Sequence, residues 1–222
     1  MLRWIAQFTD SSGIKARAPI AVPLNLYLCV WIAMAFFASL GLAIGILASF
    51  GDEQRGVSIA LQATARLAFL FFWPAYVGGA LTFLFGDLFL PIRRHARELG
   101  LAFAAALLVH LGLVVRLCAI GSPPSRETFG IFGLAAVFAY LLVVLSVDSL
   151  RRALPSKAWP ILRTVAMSYI AFAFILDFKK FPLSDFRQII EYVPFAALSI
   201  VAPLLRLAVW AQILRRKLRS SM

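Results

Sequence analysis

The sequence is short of almost everything a soluble catalytic domain is built from. Of its 222 residues only 14% are charged, two are cysteine and two are histidine. Acidic residues are the scarcest charge, ten against 22 Lys and Arg, where soluble domains carry about a quarter charged residues. The absence of any C-x-x-C pair removes support for a cysteine zinc site and for covalent c-type haem. No G-x-G-x-x-G or similar fingerprint is present, so no flavin or NAD site is expected in the chain. Paired carboxylates and Ser-His constellations are also missing from the apolar stretches, and no catalytic residue is nominated. Cys29 and Cys118 fall on the order of 25–30 Å apart along a membrane normal, at about 1.5 Å rise per residue, beyond disulfide reach.

What the sequence has instead is apolar surface. It is 62% hydrophobic, with a mean hydropathy of +0.89, and runs of about 20 apolar residues are the signature of spanning helices. Six such runs lie at roughly 26–50, 59–86, 99–119, 129–147, 160–176 and 192–213. The fold expected is an all-α integral membrane protein, a six-transmembrane-helix bundle, with an N-terminal tail over 1–25, a spanning domain over 26–214 and a basic tail over 215–222. The first run exceeds the 7–15 residues of a signal-peptide core and ends in no clear A-x-A site, so it reads as a retained helix.

The net charge of +12 is explained by where the cations sit. With the N-terminus inside, the inner segments carry fourteen: Arg3, Lys15, Arg17, Arg93, Arg94, Arg97, Arg151, Arg152, Lys157, Arg163, Arg215, Arg216, Lys217 and Arg219. The outer segments carry six: Arg55, Arg116, Arg126, Lys179, Lys180 and Arg187. This bias obeys the positive-inside rule and puts both termini inside, in the inner membrane if the host is bacterial. Anionic headgroups of the lipid bilayer are the natural partner of the basic excess; nucleic acid is not.

Within the spans, Gly41 and Gly45, flanked by Ala38 and Ala48, form a small-residue face suited to close helix packing. Pro74 predicts a kink in the second span, and Pro194 and Pro203 predict bending of the sixth. Trp31, Trp159 and Tyr192 lie near span ends, where interfacial anchors collect. Asp87 and Asp148 fall near the inner surface, within reach of arginines.

One residue is out of place in the aliphatic run LAFAAALLVHLGLVVR, residues 101–116. A neutral histidine in hydrocarbon has to satisfy a ring nitrogen and usually faces the bundle interior. Two readings fit His110: a hydrogen bond to a serine or carbonyl of a neighbouring helix, or axial ligation of haem iron, for which imidazole is a standard donor. Phe103 and Ala106, seven and four residues earlier, share its face and suit either.

The flanking residues add a resemblance. RRHARELGLAFAAALLVHLGLVV, from Arg93, resembles the third helix of the ferric-reductase-like transmembrane domain family, which includes ferric reductases, NADPH oxidases and the haem-binding membrane subunit of bacterial methionine sulfoxide reductase. The shared pattern is a basic inner end, then Leu99-Gly100-Leu101, then a histidine about ten residues after that glycine. TFGIFGLAAVFAYLLVVLSVDSLRRALPSKAWPIL resembles the fourth helix and its exit, through Gly130, Tyr140, Leu145-Ser146, Trp159 and Leu162. TARLAFLFFWP resembles the second helix, with Arg66 where the family often has arginine. The likeness covers roughly residues 60–178.

The resemblance implies a membrane electron-transfer subunit that binds haem b through His110 and exchanges electrons with a separate reductase or acceptor protein, or with a quinone. Arg66 would then partner a haem propionate or a quinone headgroup; snorkelling or pairing with an acid is its plain alternative. His95 precedes His110 by about four helical turns, one position more than the ligand spacing of two-haem relatives on this helix. It is therefore a further candidate ligand; an interfacial, solvated role is the alternative. Arg206, two turns from the inner end of its span, fits snorkelling. The match breaks at the fifth helix. The family carries histidine after W-x-x-L and again about three and a half turns further along, and this sequence has Arg163 and Leu176; the depth of His110 is matched near Phe172. A haem-less relative acting as a membrane scaffold or assembly partner is therefore the second reading. A small transporter is a third, weakened by the lack of internal repeats.

Overall fold

The computed structural model of the protein describes residues 24–147, 150, 154–155, 157–179 and 186–220. Arg3, Lys15 and Arg17 of the N-terminal tail, together with Asp148, Arg151, Arg152 and Lys180, lie outside the described residues, as do the side chains of Arg187 and Lys217. Among the described residues there are seven α-helices and no strand: α1 (Leu24–Phe50), α2 (Gln54–Phe85), α3 (Leu90–Arg94, after a 3-10 turn at Asp87–Phe89), α4 (Ala96–Ala119), α5 (Arg126–Val144), α6 (Ala158–Phe178) and α7 (Phe186–Ser220). All but α3 are long and apolar enough to cross a membrane.

The helices start and stop where local chemistry dictates. Gly51 leaves α1 with φ 83° and Gly86 leaves α2 with φ 80°, a left-handed conformation that glycine adopts without a Cβ penalty. Ser125 caps α5, its hydroxyl accepting from the Thr128 amide at 3.2 Å, as N-cap serines do. The α1–α2 turn is so tight that α2 begins at Gln54, five residues before the apolar run suggests. Gly56 makes this possible, because a Cβ there would stand 1.8 Å from the Gly51 carbonyl oxygen. Pro74, Pro194 and Pro203 all lie inside continuous helices.

Five helices close a ring: α2 packs on α4, α4 on α5, α5 on α6, α6 on α7 and α7 back on α2. The first helix docks outside this ring, against α2 and α4. It does so through Ala35, Ser39 and Ala43, which are buried at four-residue spacing. The Ala38–Gly41–Gly45–Ala48 stripe is exposed instead, with nothing within 4 Å of where a Cβ would stand on Gly41 or Gly45. Packing thus uses the alanine–serine face and not the glycine face the sequence suggested.

Phenylalanines fill the interior. Phe69 contacts Phe174, Phe178 and Phe195 at ring-centroid distances of 5.0, 5.1 and 6.1 Å, all edge-on. Phe72 meets Phe103 and Phe174, each at 5.3 Å. Such tilted and edge-to-face pairs contribute about 0.5–1.5 kcal/mol each beyond area burial.

Four seams of the bundle also carry a polar stitch. Ser39 donates to the Ala106 carbonyl at 3.3 Å, joining α1 to α4. Trp73 Nε1–H donates to the Leu198 carbonyl at 2.9 Å, joining α2 to α7. Tyr140 donates to the Ala104 carbonyl at 3.2 Å and Tyr169 to the Ile131 carbonyl at 3.3 Å, joining α5 to α4 and α6 to α5. Outside the apolar zone, Arg116 pairs with Asp52.

Two substitutions test this packing. Gly56→Ala should destabilise the protein by about 2 kcal/mol or more, because backbone must move to admit the methyl group, whereas Gly41→Ala should change stability by less than about 0.5 kcal/mol. Thermal unfolding in detergent reads both, and equal effects would show that the α1–α2 turn is not the tight point.

Candidate functional site

The site is built on the α2–α4 seam. On α2, Ala60, Thr64, Ala68 and Phe72 repeat every four residues; on α4, Phe103, Ala106, His110 and Leu113 repeat every three or four, so each set forms one stripe. The Phe72–Phe103 contact sets the antiparallel register and brings Thr64 opposite His110. The Thr64 hydroxyl lies 3.0 Å from His110 Nδ1. The same hydroxyl lies 2.8 Å from the Ala60 carbonyl and 3.1 Å from the Leu61 carbonyl.

Proton bookkeeping follows from that set. Carbonyls only accept, so the single hydroxyl proton of Thr64 is best placed on a carbonyl of its own helix, the usual back-bond of a helical threonine. We therefore assign the ring proton to Nδ1, donating to Thr64 Oγ1 and leaving the lone pair on Nε2. Thr64 is fully buried; His110 is half-buried.

The other sequence candidates are not gathered around His110. Arg66 is two residues from Thr64 and hence about 200° around α2, so it faces α7. Its Cζ lies 4.5 Å from the ring centroid of Tyr192 and 5.8 Å from that of Phe195. Tyr192, expected as an interfacial anchor, is thus a platform for Arg66. His95 is the residue between α3 and α4, about 22 Å from His110 along the helix at about 1.5 Å per residue. Its Nδ1 stands 4.0 Å from Glu98 Oε2, and its ring is 6.1 Å from that of Tyr27 on α1.

A haem held between α4 and α6 needs a flat slot and a donor on each wall. The residues present do not fit that arrangement. Where α4 and α6 approach, Phe72, Phe103 and Phe174 are in mutual ring contact. Phe172, expected from the sequence to match the depth of His110, is 48% exposed, and its neighbour Phe174 meets Phe103, seven residues before His110 on α4. Arg163 lies at the start of α6 and Leu176 near its end, and neither can serve as an imidazole. Among the described residues no group of three or more His, Cys, Asp or Glu could hold a metal ion.

The chain matches no family model, no curated protein and no solved structure. The site must be read from its own chemistry.

Two residues of this region escaped the sequence reading. Thr64 was detectable, since TARLAF places a hydroxyl in an apolar span and its depth from the helix end can be matched to that of His110. Tyr76, whose ring lies 4.6 Å from Arg206 Cζ, was not, because the face it occupies depends on helix rotation. Arg206, expected to snorkel, is seated on this ring.

The Thr64–His110 bond is measurable by a double-mutant cycle. Thr64→Val and His110→Leu should each destabilise the protein, with a coupling of about 0.5–2 kcal/mol in detergent unfolding. Strict additivity would mean that the bond contributes nothing.

Proposed function

We propose that this chain is a haem-less, six-span membrane scaffold or assembly partner of ferric-reductase-like design, with His110 as a structural hydrogen-bonder. The observation that carries this reading is the absence from α6 of any imidazole that could face His110, with phenylalanines of α2, α4 and α6 packed together about two turns along α4 from it. The engaged Nδ1 of His110 and the absence of an imidazole at Arg163 and Leu176 agree with it. The basic end, carrying Arg93, Arg94, Arg97, Arg215, Arg216 and Arg219, faces the cytoplasm in this reading. In a bacterial host the membrane is the inner one, and a separate membrane or reductase chain is the partner.

One observation favours a second reading, electron transfer through a b-type haem on His110 alone. An axial histidine commonly donates its distal N–H to a protein oxygen, which orients the ring and raises its basicity; Thr64 Oγ1 is the acceptor here. Bound haem would supply one-electron chemistry, and His110 would hold the iron through Nε2. A separate reductase or acceptor protein, or a quinone, would complete the path.

The absorption spectrum of the detergent-purified protein, expressed with ample haem, separates the two. The expected outcome is no Soret band and no change on dithionite reduction. A Soret band with reduced α and β bands, abolished by His110→Ala, would overturn the scaffold reading in favour of electron transfer.

A further inference from the structure

Side-chain register fixes the depth of the helix ends. On α4, Arg97 and Arg116 are about 28 Å apart at about 1.5 Å rise per residue, close to the hydrocarbon thickness of about 30 Å. Arg97 donates to the Ser146 carbonyl just past α5, and Arg116 pairs with Asp52 between α1 and α2. Both arginines mark where helices leave the apolar zone. The Phe72–Phe103 contact carries the level of Arg97 across to Gly78 on α2. The backbone of Ile92 and Arg93 packs at that level, so closely that a Cβ on Gly78 would stand 3.3 Å from it. Phe83 lies a turn and a half further along α2, about 7 Å beyond the apolar boundary.

Arg216 of α7 stands over Phe83, its Cζ 5.4 Å from the ring centroid, and is held at that depth. This is the headgroup layer, which adds about 5–8 Å on each side of the hydrocarbon. Gln212, Arg215, Arg216 and Arg219 share one face of α7 through their three- and four-residue spacing, and together they line a shallow hollow. Among the described residues no carboxylate pairs with any of these three arginines. Towards the apolar zone, Leu207 is 58% exposed, Trp210 56% and Leu214 45%. They offer a surface for acyl chains, with a tryptophan at the level where interfacial anchors collect. Guanidiniums are well shaped for phosphate oxygens. We propose that the hollow formed by Gln212, Arg215, Arg216 and Arg219 binds the phosphate of one anionic phospholipid, with Phe83 holding Arg216 in place and the acyl chains lying along Leu207, Trp210 and Leu214. An acidic protein segment would be drawn to the same charge, but the depth and the adjoining apolar strip select a lipid. This goes beyond the scaffold reading and does not depend on whether haem is bound.

The test uses the full chain in detergent micelles, with unfolding followed by tryptophan fluorescence. Phosphatidylglycerol should raise the midpoint by about 4 °C, while phosphatidylcholine with the same acyl chains should give less than about a third of that shift. R215Q/R219Q should lose at least half of the shift. R55Q/R126Q, which removes the same charge at the opposite end of the bundle, should keep most of it. An equal shift with the two lipids, no shift with either, or a full shift retained in R215Q/R219Q would overturn the proposal. So would an equal loss in R55Q/R126Q, which would make the effect one of net charge. The same shift with inorganic phosphate alone would overturn it too, because the ligand would be a free anion. If R215Q/R219Q does not fold, native mass spectrometry of the unmodified chain and of F83L decides. Retention of phosphatidylglycerol over phosphatidylcholine, reduced in F83L, supports the site; equal retention of both lipids, or a preference unchanged in F83L, overturns it.

Discussion

In hydrocarbon a polar side chain cannot be answered by water, so each one inside a span has to find its partner on its own helix or on a neighbour. That constraint organises the bundle. The apolar residues, alike on every side, say that six helices cross but do not choose among their arrangements. The hydrogen bonds Ser39 to Ala106, Thr64 with His110, Trp73 to Leu198, Tyr140 to Ala104 and Tyr169 to Ile131 each select one neighbour, one rotation and one depth. Measured bonds of this kind contribute about 0.6 kcal/mol on average in a membrane protein. Their value lies as much in fixing register as in total stability.

The same constraint accounts for the seam between α2 and α7. Three arginines could have burdened this contact, and each is placed against an aromatic ring of the opposite helix: Arg66 over Tyr192, Arg206 over Tyr76 and Arg216 over Phe83. A ring quadrupole attracts a cation by about 0.5–2 kcal/mol, more when water is excluded.

His110 belongs to this pattern. Its depth, its half-burial and its bond to Thr64 make it one more stitch in a seam whose neighbouring turns are Ala60, Ala68 and Ala106, small residues that let α2 and α4 approach closely. The phenylalanine cluster beside that seam packs as protein interiors do, with rings from α2, α4, α6 and α7 in mutual contact.

How much of this was legible beforehand follows from which physical quantity each feature depends on. Span number and position depend on hydropathy summed over about 20 residues, and the sequence carries that sum directly; hence the six spans fall close to the apolar runs, although the helix of the sixth continues from Phe186 to Ser220. Two differences, the early start of α2 and the outward Ala38–Gly41–Gly45–Ala48 stripe, depend on a tight turn at Gly51 and Gly56 and on which face of α1 meets α4. Arg66 and His110 look like candidates for one site because both are polar residues in spans. The short step along the helix from Thr64 to Arg66 nevertheless sends the two candidates to opposite sides of α2. By itself, then, the sequence determined the class, the spans and the polar residues that would need partners. Only the tertiary structure decided the partners, because helix rotation and register are set by side chains that meet across helices and not by any property of one segment alone.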